Sequence, residues 1–144
     1  MSDSKIFNNI LESNFKVLSI LKLTNKPLSK EELLVYDTYS IYTKFYLDEL
    51  SDLLHIEFYE RYDFVKRLSL INKSLENCYK NKLVLCDFSS NCIRYIISNK
   101  GIEFLDTLDK NQNYLSKYLV NLSYVSNYLT HKDLTNEFRK IVYE

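Results

Sequence analysis

Glycine is almost missing from this chain, since Gly101 is the only one in 144 residues. Neither a Gly-rich dinucleotide-binding loop nor a Walker phosphate loop can be written with one glycine, because both need several where the backbone approaches phosphate. Alanine and tryptophan are absent, and proline occurs once. All four depleted types have GC-rich codons, so we attribute the depletion to genome composition. A nucleotide-driven enzyme is excluded for this chain by itself.

Cysteine and histidine are too few and too scattered to predict a metal site. Cys78, Cys86 and Cys92 are an odd number without a CxxC pair, and His55 and His131 lie far apart. This pattern fits neither a disulfide framework nor a zinc site, and it favours a reduced, cytoplasmic compartment. We expect no metal, no cofactor and no catalytic residue, and therefore no enzyme.

The chain also has no excess of positive or negative charge, because 19 Lys and Arg residues balance 19 Asp and Glu residues. No overall field draws the chain to nucleic acid or to an acidic membrane surface. No run of about 18 apolar residues occurs, and the first residues lack the features of a signal peptide. We expect a soluble protein with no membrane contact.

Hydrophobic periodicity predicts one helical domain with a small β-hairpin. One face of a long helix is marked by apolar residues at helical spacing, namely Phe64, Leu68, Ile71, Leu75 and Cys78. The runs LVLCDF and CIRYIIS, separated by Ser89-Ser90-Asn91, indicate a hairpin. Ser98 can then N-cap a further helix.

Upstream, the chain predicts two more helices. The first covers about Ser4 to Leu23, and the second begins at a capping box formed by Ser29 and Glu32 and runs to about Tyr46. This order predicts a mainly α fold, a winged helix with additional C-terminal helices. Its parts are 1–57 (N-terminal helices), 58–81 (long helix), 82–98 (wing hairpin) and 99–144 (C-terminal helices). We expect a core that includes Leu68, Leu75, Leu83, Ile96 and Leu105.

A basic stripe runs along the solvent side of the long helix. Lys66, Lys73 and Lys80 recur every seven residues, with Lys82 at the base of the wing and Arg94 within it. In a winged helix this is the surface that approaches DNA, where lysines contact phosphates. The stripe is either a plain solvated face or a weak, non-specific DNA-phosphate contact.

The segment after Asp109 predicts a helix with two apolar faces. Leu115, Tyr118, Leu122, Val125 and Leu129 form a seam for another helix. Val120, Tyr124 and Tyr128 form a second face, which binds a partner unless the first helix covers it. Asp133 can cap a last helix that contains Leu134, Phe138 and Ile141.

With these elements in order, the chain resembles the small middle component of bacterial ABC-three-component defence systems, including Lamassu-type systems. The matching features are Leu54-His55 before the long helix, Lys82-Leu83-Val84 at the start of the wing, and the stretch from Tyr95 to Gly101 leading into Phe104-Leu105. Ile56 stands where the family tends to have proline.

The resemblance implies a non-catalytic adaptor that links an SMC-like or ABC-type ATPase to an effector, often a nuclease, in an antiviral complex. ATP and metal chemistry would then belong to the partners. The alternative is a small winged-helix transcription regulator that binds DNA and dimerises through the C-terminal helix.

Overall fold

The structure, a computed structural model, describes residues 2–42, 63–108 and 113–143. In those residues the chain is mainly helical, with one antiparallel hairpin, as predicted. The elements in order are α1 (Ser2–Thr24), α2 (Lys30–Ile41), α3 (Asp63–Lys80), β1 (Val84–Asp87), β2 (Arg94–Ile97), α4 (Asn99–Thr107), α5 (Asn113–Leu129) and α6 (Leu134–Tyr143).

Local capping residues set the helix starts where the sequence predicts them. Ser29 Oγ accepts the backbone N–H of Glu32 (3.2 Å), and Glu32 Oε1 accepts the backbone N–H of Ser29 (2.9 Å). Ser98 Oγ accepts the backbone N–H of Gly101 (3.0 Å) at the start of α4. The Asp133 carboxylate accepts the backbone N–H of Thr135 (3.0 Å) at the start of α6. Each cap satisfies N–H groups that the helix itself leaves without partners.

Helix α2 occupies the centre of the fold. Every residue from Leu33 to Ile41 is buried, and α2 packs against α1, α3, α5 and α6. A helix that is buried all round has no polar stripe, which explains why its sequence lacks a clear helical period. The described part of α2 ends at Ile41, whereas the sequence predicts an end near Tyr46. The predicted bridge at 53–56, with His55, lies outside the described residues.

The hairpin pairs Val84 with Ile97, Leu85 with Ile96, Cys86 with Tyr95, and Asp87 with Arg94. Val84 is buried, and Ile97 packs against the core. The prediction that Ile96 is buried is wrong, because Ile96 is 36% exposed beside Leu85 on the outer face. Since successive side chains of a strand alternate between faces, the burial of Ile97 turns Ile96 outward.

A third extended segment joins the hairpin. Leu28, between α1 and α2, exchanges two backbone hydrogen bonds with Tyr95 of β2 (3.1 and 2.8 Å). The loop between the first two helices therefore lies alongside β2 and anchors the hairpin to the helical part.

The start of α4 approaches the backbone of Leu83, just before β1, so closely that position 101 requires glycine. A Cβ atom at Gly101 would lie 2.3 Å from the Leu83 carbonyl oxygen and 2.8 Å from Ile97 Cγ1. The backbone oxygen cannot move away cheaply, because it already accepts the N–H of Ser98 (3.0 Å). Only glycine fits at this contact.

The predicted core residues are buried, apart from Ile96, which is exposed, and Leu68. Leu75, Leu83 and Leu105 are buried, while Leu68 is half-buried against the core. On α3, Ile71 and Cys78 are also buried, and Phe64 packs against the core, which confirms the predicted face. Helices α1 and α2 and strand β1 contact α3.

We expect Leu75→Ala to lower the free energy of unfolding by about 2–5 kcal/mol, because the substitution leaves a cavity. Leu75 is 1% exposed. For a domain with a total stability of roughly 5–15 kcal/mol this is a severe loss, measurable by urea denaturation. Leu70→Ala is the control, since Leu70 lies on the exposed side of the same helix. Equal effects of the two substitutions would show that the buried face is misplaced.

Candidate interaction surfaces

The predicted partner face of α5 is open at one end and partly packed at the other. Val120 is 62% exposed, Tyr128 is at the margin of exposure, and Tyr124 is half-buried. The opposite seam is buried as predicted, including Tyr118, Leu122, Val125 and Leu129. Because α1 packs on α5 and still leaves Val120 exposed, helix one does not close this face at Val120.

Tyr128 contributes to the fold as well as to this face. Its ring lies 6.3 Å from the ring of Tyr39 on α2, at an angle of 60°. The Lys132 ammonium lies 5.0 Å from its ring centroid, a cation–π contact. Truncating Tyr128 therefore removes packing on the central helix, so Val120 is the cleaner position at which to test the face.

A half-open apolar cleft borders the same helix. It lies between α1, α4 and α5 and has a volume of about 350 Å³. Its walls include Phe15, Leu105 and Leu122, with Lys22 and Ser123 among its polar residues. Ser123 is one helical turn after Val120, so the exposed face of α5 continues toward the cleft.

The basic stripe is exposed along α3. Lys66, Lys73 and Lys80 are all exposed, and so is Glu76 of the same helix. Lys82 is exposed at the turn between α3 and β1, where its φ of 62° places it in the left-handed region. In this turn Leu83 N–H donates to the Cys78 carbonyl (2.8 Å) and Lys82 N–H to that of Tyr79 (3.1 Å). Lys82 thus forms part of the C-terminal cap of α3.

Arg94, the remaining residue of the predicted phosphate-contact set, is engaged within the fold. Its guanidinium donates to Glu32 Oε1 and to Ser90 Oγ (3.3 Å). The carboxylate of Glu32 also caps α2, so one side chain joins the hairpin to the start of the central helix. This ion pair largely neutralises the charge that Arg94 would offer to a phosphate.

An exposed apolar surface on the hairpin was missed from the sequence. Four large apolar side chains are exposed on or next to the strands, and we call them the hairpin patch: Leu85, Phe88, Ile93 and Ile96. The sequence does contain a signal for this apolar outer face. A hairpin whose outer face is solvated alternates apolar and polar residues, and the strand sequences LVLC and IRYII do not alternate in this way.

A buried polar cluster connects α2 with α3 and α5. The Tyr118 hydroxyl donates to Asp37 Oδ1 (2.8 Å), and Arg67 Nη1 lies 3.9 Å from Asp37 Oδ2. The side chains of Arg67 and Asp37 are 11% and 8% exposed. Arg67 also donates to Thr38 Oγ1 and lies over the Tyr42 ring. Periodicity does not identify such pairs, because the partners are distant in sequence.

The three cysteines differ in exposure. Cys78 is buried, and burial raises the pKa of its thiol to about 11, so this thiol is protonated at neutral pH. Burial also raises the pKa of the half-buried Cys86, while Cys92 is exposed in the hairpin turn.

Within the described ranges, no three His, Cys, Asp or Glu side chains are grouped so that they could hold a metal ion. None of the described helices is long and apolar enough to cross a membrane.

Comparison with known proteins identifies one family. Its model, described as ABC-three component (ABC-3C) system Middle Component 2, matches residues 6–144. Neither the curated proteins nor the solved structures contain a match.

We expect Arg67→Met to lower the free energy of unfolding by about 3–5 kcal/mol, because Asp37 is then left buried without its cation. The control is Lys66→Met, a neighbouring exposed lysine, for which a change within about 0.5 kcal/mol is expected. Adding Asp37→Leu to Arg67→Met should recover part of the loss. If urea denaturation gives equal stabilities for Arg67→Met and Lys66→Met, the cluster does not stabilise the fold.

We expect the stripe to give at most weak, salt-dependent DNA binding. Changing Lys66, Lys73 and Lys80 together to Glu should preserve the fold, because all three are exposed. In a gel shift with generic duplex, each lost phosphate contact should lower the log–log salt slope by about 0.9. Lys100→Glu, at an exposed position on α4, is the control. Nanomolar, sequence-selective binding by the unmodified chain would contradict this expectation.

Proposed function

The chain belongs to the middle component 2 family of ABC-three component systems, and we propose that it is the non-catalytic adaptor of such a system. In this role it links an SMC-like or ABC-type ATPase to an effector, such as a nuclease, in a bacterial antiviral defence complex of the Lamassu type. The family description supports a role alongside other components, and the exposed surfaces of the fold support the adaptor role.

The fold that presents these surfaces is, in this proposal, a winged helix. The order of elements supports it: α1, the extended Leu28, α2, α3 and the β1–β2 hairpin, with Leu28 paired to Tyr95 as a third, one-residue strand. Helix α3 then takes the place of the reading helix, and the hairpin takes the place of the wing. Helices α4, α5 and α6 are additions, of which α5 and α6 pack on α2 and α4 packs on α1.

The observation that carries the adaptor proposal is the two-sided nature of α5. One side is buried against α1 and α2, while the other exposes Val120 among residues that include Tyr124 and Tyr128. Tyrosine is favoured at interfaces because its ring buries area while its hydroxyl keeps a hydrogen bond. An exposed valine next to two tyrosines on a well-packed helix forms a small apolar centre, as in protein–protein interfaces.

The alternative function is that of a winged-helix transcription regulator that binds DNA. The exposed lysines of α3 favour this alternative. Three lysines face solvent, but Glu76 lies among them and Arg94 is paired with Glu32. The surface of α3 therefore carries both positive and negative charge. Specific DNA binding is supported by concentrated positive charge instead. We therefore assign any DNA contact by this chain a secondary role within the assembled complex.

We expect Val120→Glu combined with Tyr124→Ala to abolish co-purification with the ATPase or the effector of the proposed complex. A buried carboxylate without a partner opposes association, and Val120 is exposed in the isolated chain, so its replacement should not prevent folding. Asn136→Glu, at an exposed position on α6, is the control and should leave the complex intact.

Two outcomes would contradict this prediction. If the double variant is folded and still co-purifies with both partners, the α5 face is not the binding surface. If the double variant does not fold, as judged by its melting temperature, the face belongs to the core of the chain.

A further inference from the structure

A buried tyrosine of α2 connects helix α6 with the α5 face, which consists of Val120, Tyr124 and Tyr128. Tyr39 is 2% exposed, and its hydroxyl donates to Glu137 Oε2 of α6 (2.5 Å). Its ring centroid lies 6.3 Å from that of Tyr128, and the two rings are tilted by 60°. One side chain thus contacts both helices, with its hydroxyl on α6 and its ring beside α5.

The carboxylate of Glu137 holds the hydroxyl end of Tyr39 in place. Glu137 is 3% exposed, although it belongs to the last helix of the fold. Its Oε2 accepts from Tyr39 and lies 3.3 Å from the ammonium nitrogen of Lys140, one turn later on α6. A buried carboxylate is costly unless it is paired and hydrogen-bonded, and these two contacts provide both. The side chain of Tyr39 is therefore fixed at its far end.

Tyr128 reaches solvent with only part of its ring. It is 36% exposed, and the exposed part belongs to the α5 face. Inside the protein its ring packs beside Tyr39, and the Lys132 ammonium lies 5.0 Å from its ring centroid. Tilted aromatic pairs with centroids about 4.5–7 Å apart attract each other in specific geometries, because the ring edge is positive and the ring face negative. A shift of the Tyr39 ring therefore changes the direction in which Tyr128 is presented to a partner.

We propose that Glu137 and Tyr39 are positioning residues of the α5 face, which set the orientation of the Tyr128 ring for partner binding. This inference rests on the adaptor function proposed above, because it assigns the two residues a role in binding at the same face. Both residues are buried, so they act without touching the partner. Their effect on binding passes through the contact between the Tyr39 and Tyr128 rings, and it therefore requires an aromatic ring at position 128.

The same two residues also hold α6 against α2, so the test has to separate positioning from packing. Helix α6 packs on α2, and Ile141, one turn after Glu137, is buried as well. A truncation at Ile141 loosens α6 without removing the hydrogen bond between Tyr39 and Glu137. It therefore shows what weaker packing of α6 alone does to partner binding.

The test measures the affinity of the full chain for the ATPase and for the effector of the proposed complex, at a temperature at which every variant is folded. Tyr39→Phe removes the donor and keeps the ring, and Glu137→Leu removes the acceptor. Glu137→Gln is the matched conservative variant, because its amide oxygen can still accept from the Tyr39 hydroxyl. Ile141→Ala is the control for the packing of α6. Tyr39→Phe leaves the core filled, so it carries the test should Glu137→Leu fail to fold.

A double-mutant cycle tests whether the effect passes through the Tyr128 ring. Tyr39→Phe is compared in the wild type and in a chain that carries Tyr128→Leu, which keeps an apolar side chain but lacks the ring. Residues that act through a shared contact give non-additive effects, whereas independent effects add. A purely structural role of Tyr39 would give the same loss of affinity in both backgrounds.

Tyr39→Phe and Glu137→Leu should each weaken binding of the partner on the α5 face by about two- to tenfold, the range that corresponds to one oriented aromatic contact. Glu137→Gln should recover most of the affinity that Glu137→Leu loses, and Ile141→Ala should bind as the wild type does. In the Tyr128→Leu background, Tyr39→Phe should cause no further loss.

Three results would overturn the proposal. The first is that folded Tyr39→Phe and Glu137→Leu bind as the wild type does while the double variant of the α5 face does not, which rejects the positioning role and leaves the adaptor function standing. The second is an equal loss from Tyr39→Phe in both backgrounds, or the same loss from Ile141→Ala, which leaves the two residues a structural role alone. The third is that the wild type binds neither subunit, in which case the adaptor function fails and the positioning role fails with it.

Discussion

Burial of the polar side chains of α2 is the constraint on which the rest of the structure depends. Because α2 is surrounded by α1, α3, α5 and α6, its Asp37 and Tyr39 must find partners inside the protein. Tyr118 of α5 donates to Asp37, and the Arg67 guanidinium of α3 lies beside it. Tyr39 donates to Glu137 of α6 (2.5 Å). Helices α3, α5 and α6 therefore each supply a polar side chain that fixes their position against the centre.

This central arrangement also sets where the candidate surfaces lie. Helix α3 uses one face for the core and exposes lysines on the other, and α5 does the same with Val120. The hairpin is attached to the start of α2 through Glu32, whose carboxylate also caps that helix. A substitution in the buried polar cluster should therefore disturb the relative placement of α3 and α5, even though it touches neither exposed face.

In the proposed adaptor role, specificity would come from packed apolar surfaces more than from charge. The chain has no net charge, and Arg67 and Arg94 are both held in internal contacts. The surfaces left for partners are small, apolar and fixed by packing. Binding through such surfaces costs little ordering entropy, because the exposed side chains sit on elements that are already in place.

Local interactions explain what could be predicted from the sequence. The apolar spacing on α3, the capping box at Ser29 and the cap at Ser98 depend on residues within one or two turns of each other, and all three are confirmed. The two strands and the buried seam of α5 are likewise confirmed, because period and turn residues are local properties. The partner faces stay predictions, since a sequence shows an apolar face without showing what covers it.

The amino-acid sequence by itself determined the helices, their caps and the existence of the hairpin, because these depend on contacts between near neighbours. Only the tertiary structure decided that α2 lies at the centre, that Ile97 points inward and Ile96 outward, and that Arg94 binds Glu32. The physical reason is distance along the chain. Tyr39 and Glu137 are 98 residues apart, and Arg94 and Glu32 are 62 apart, so these pairs form only when the whole chain is packed.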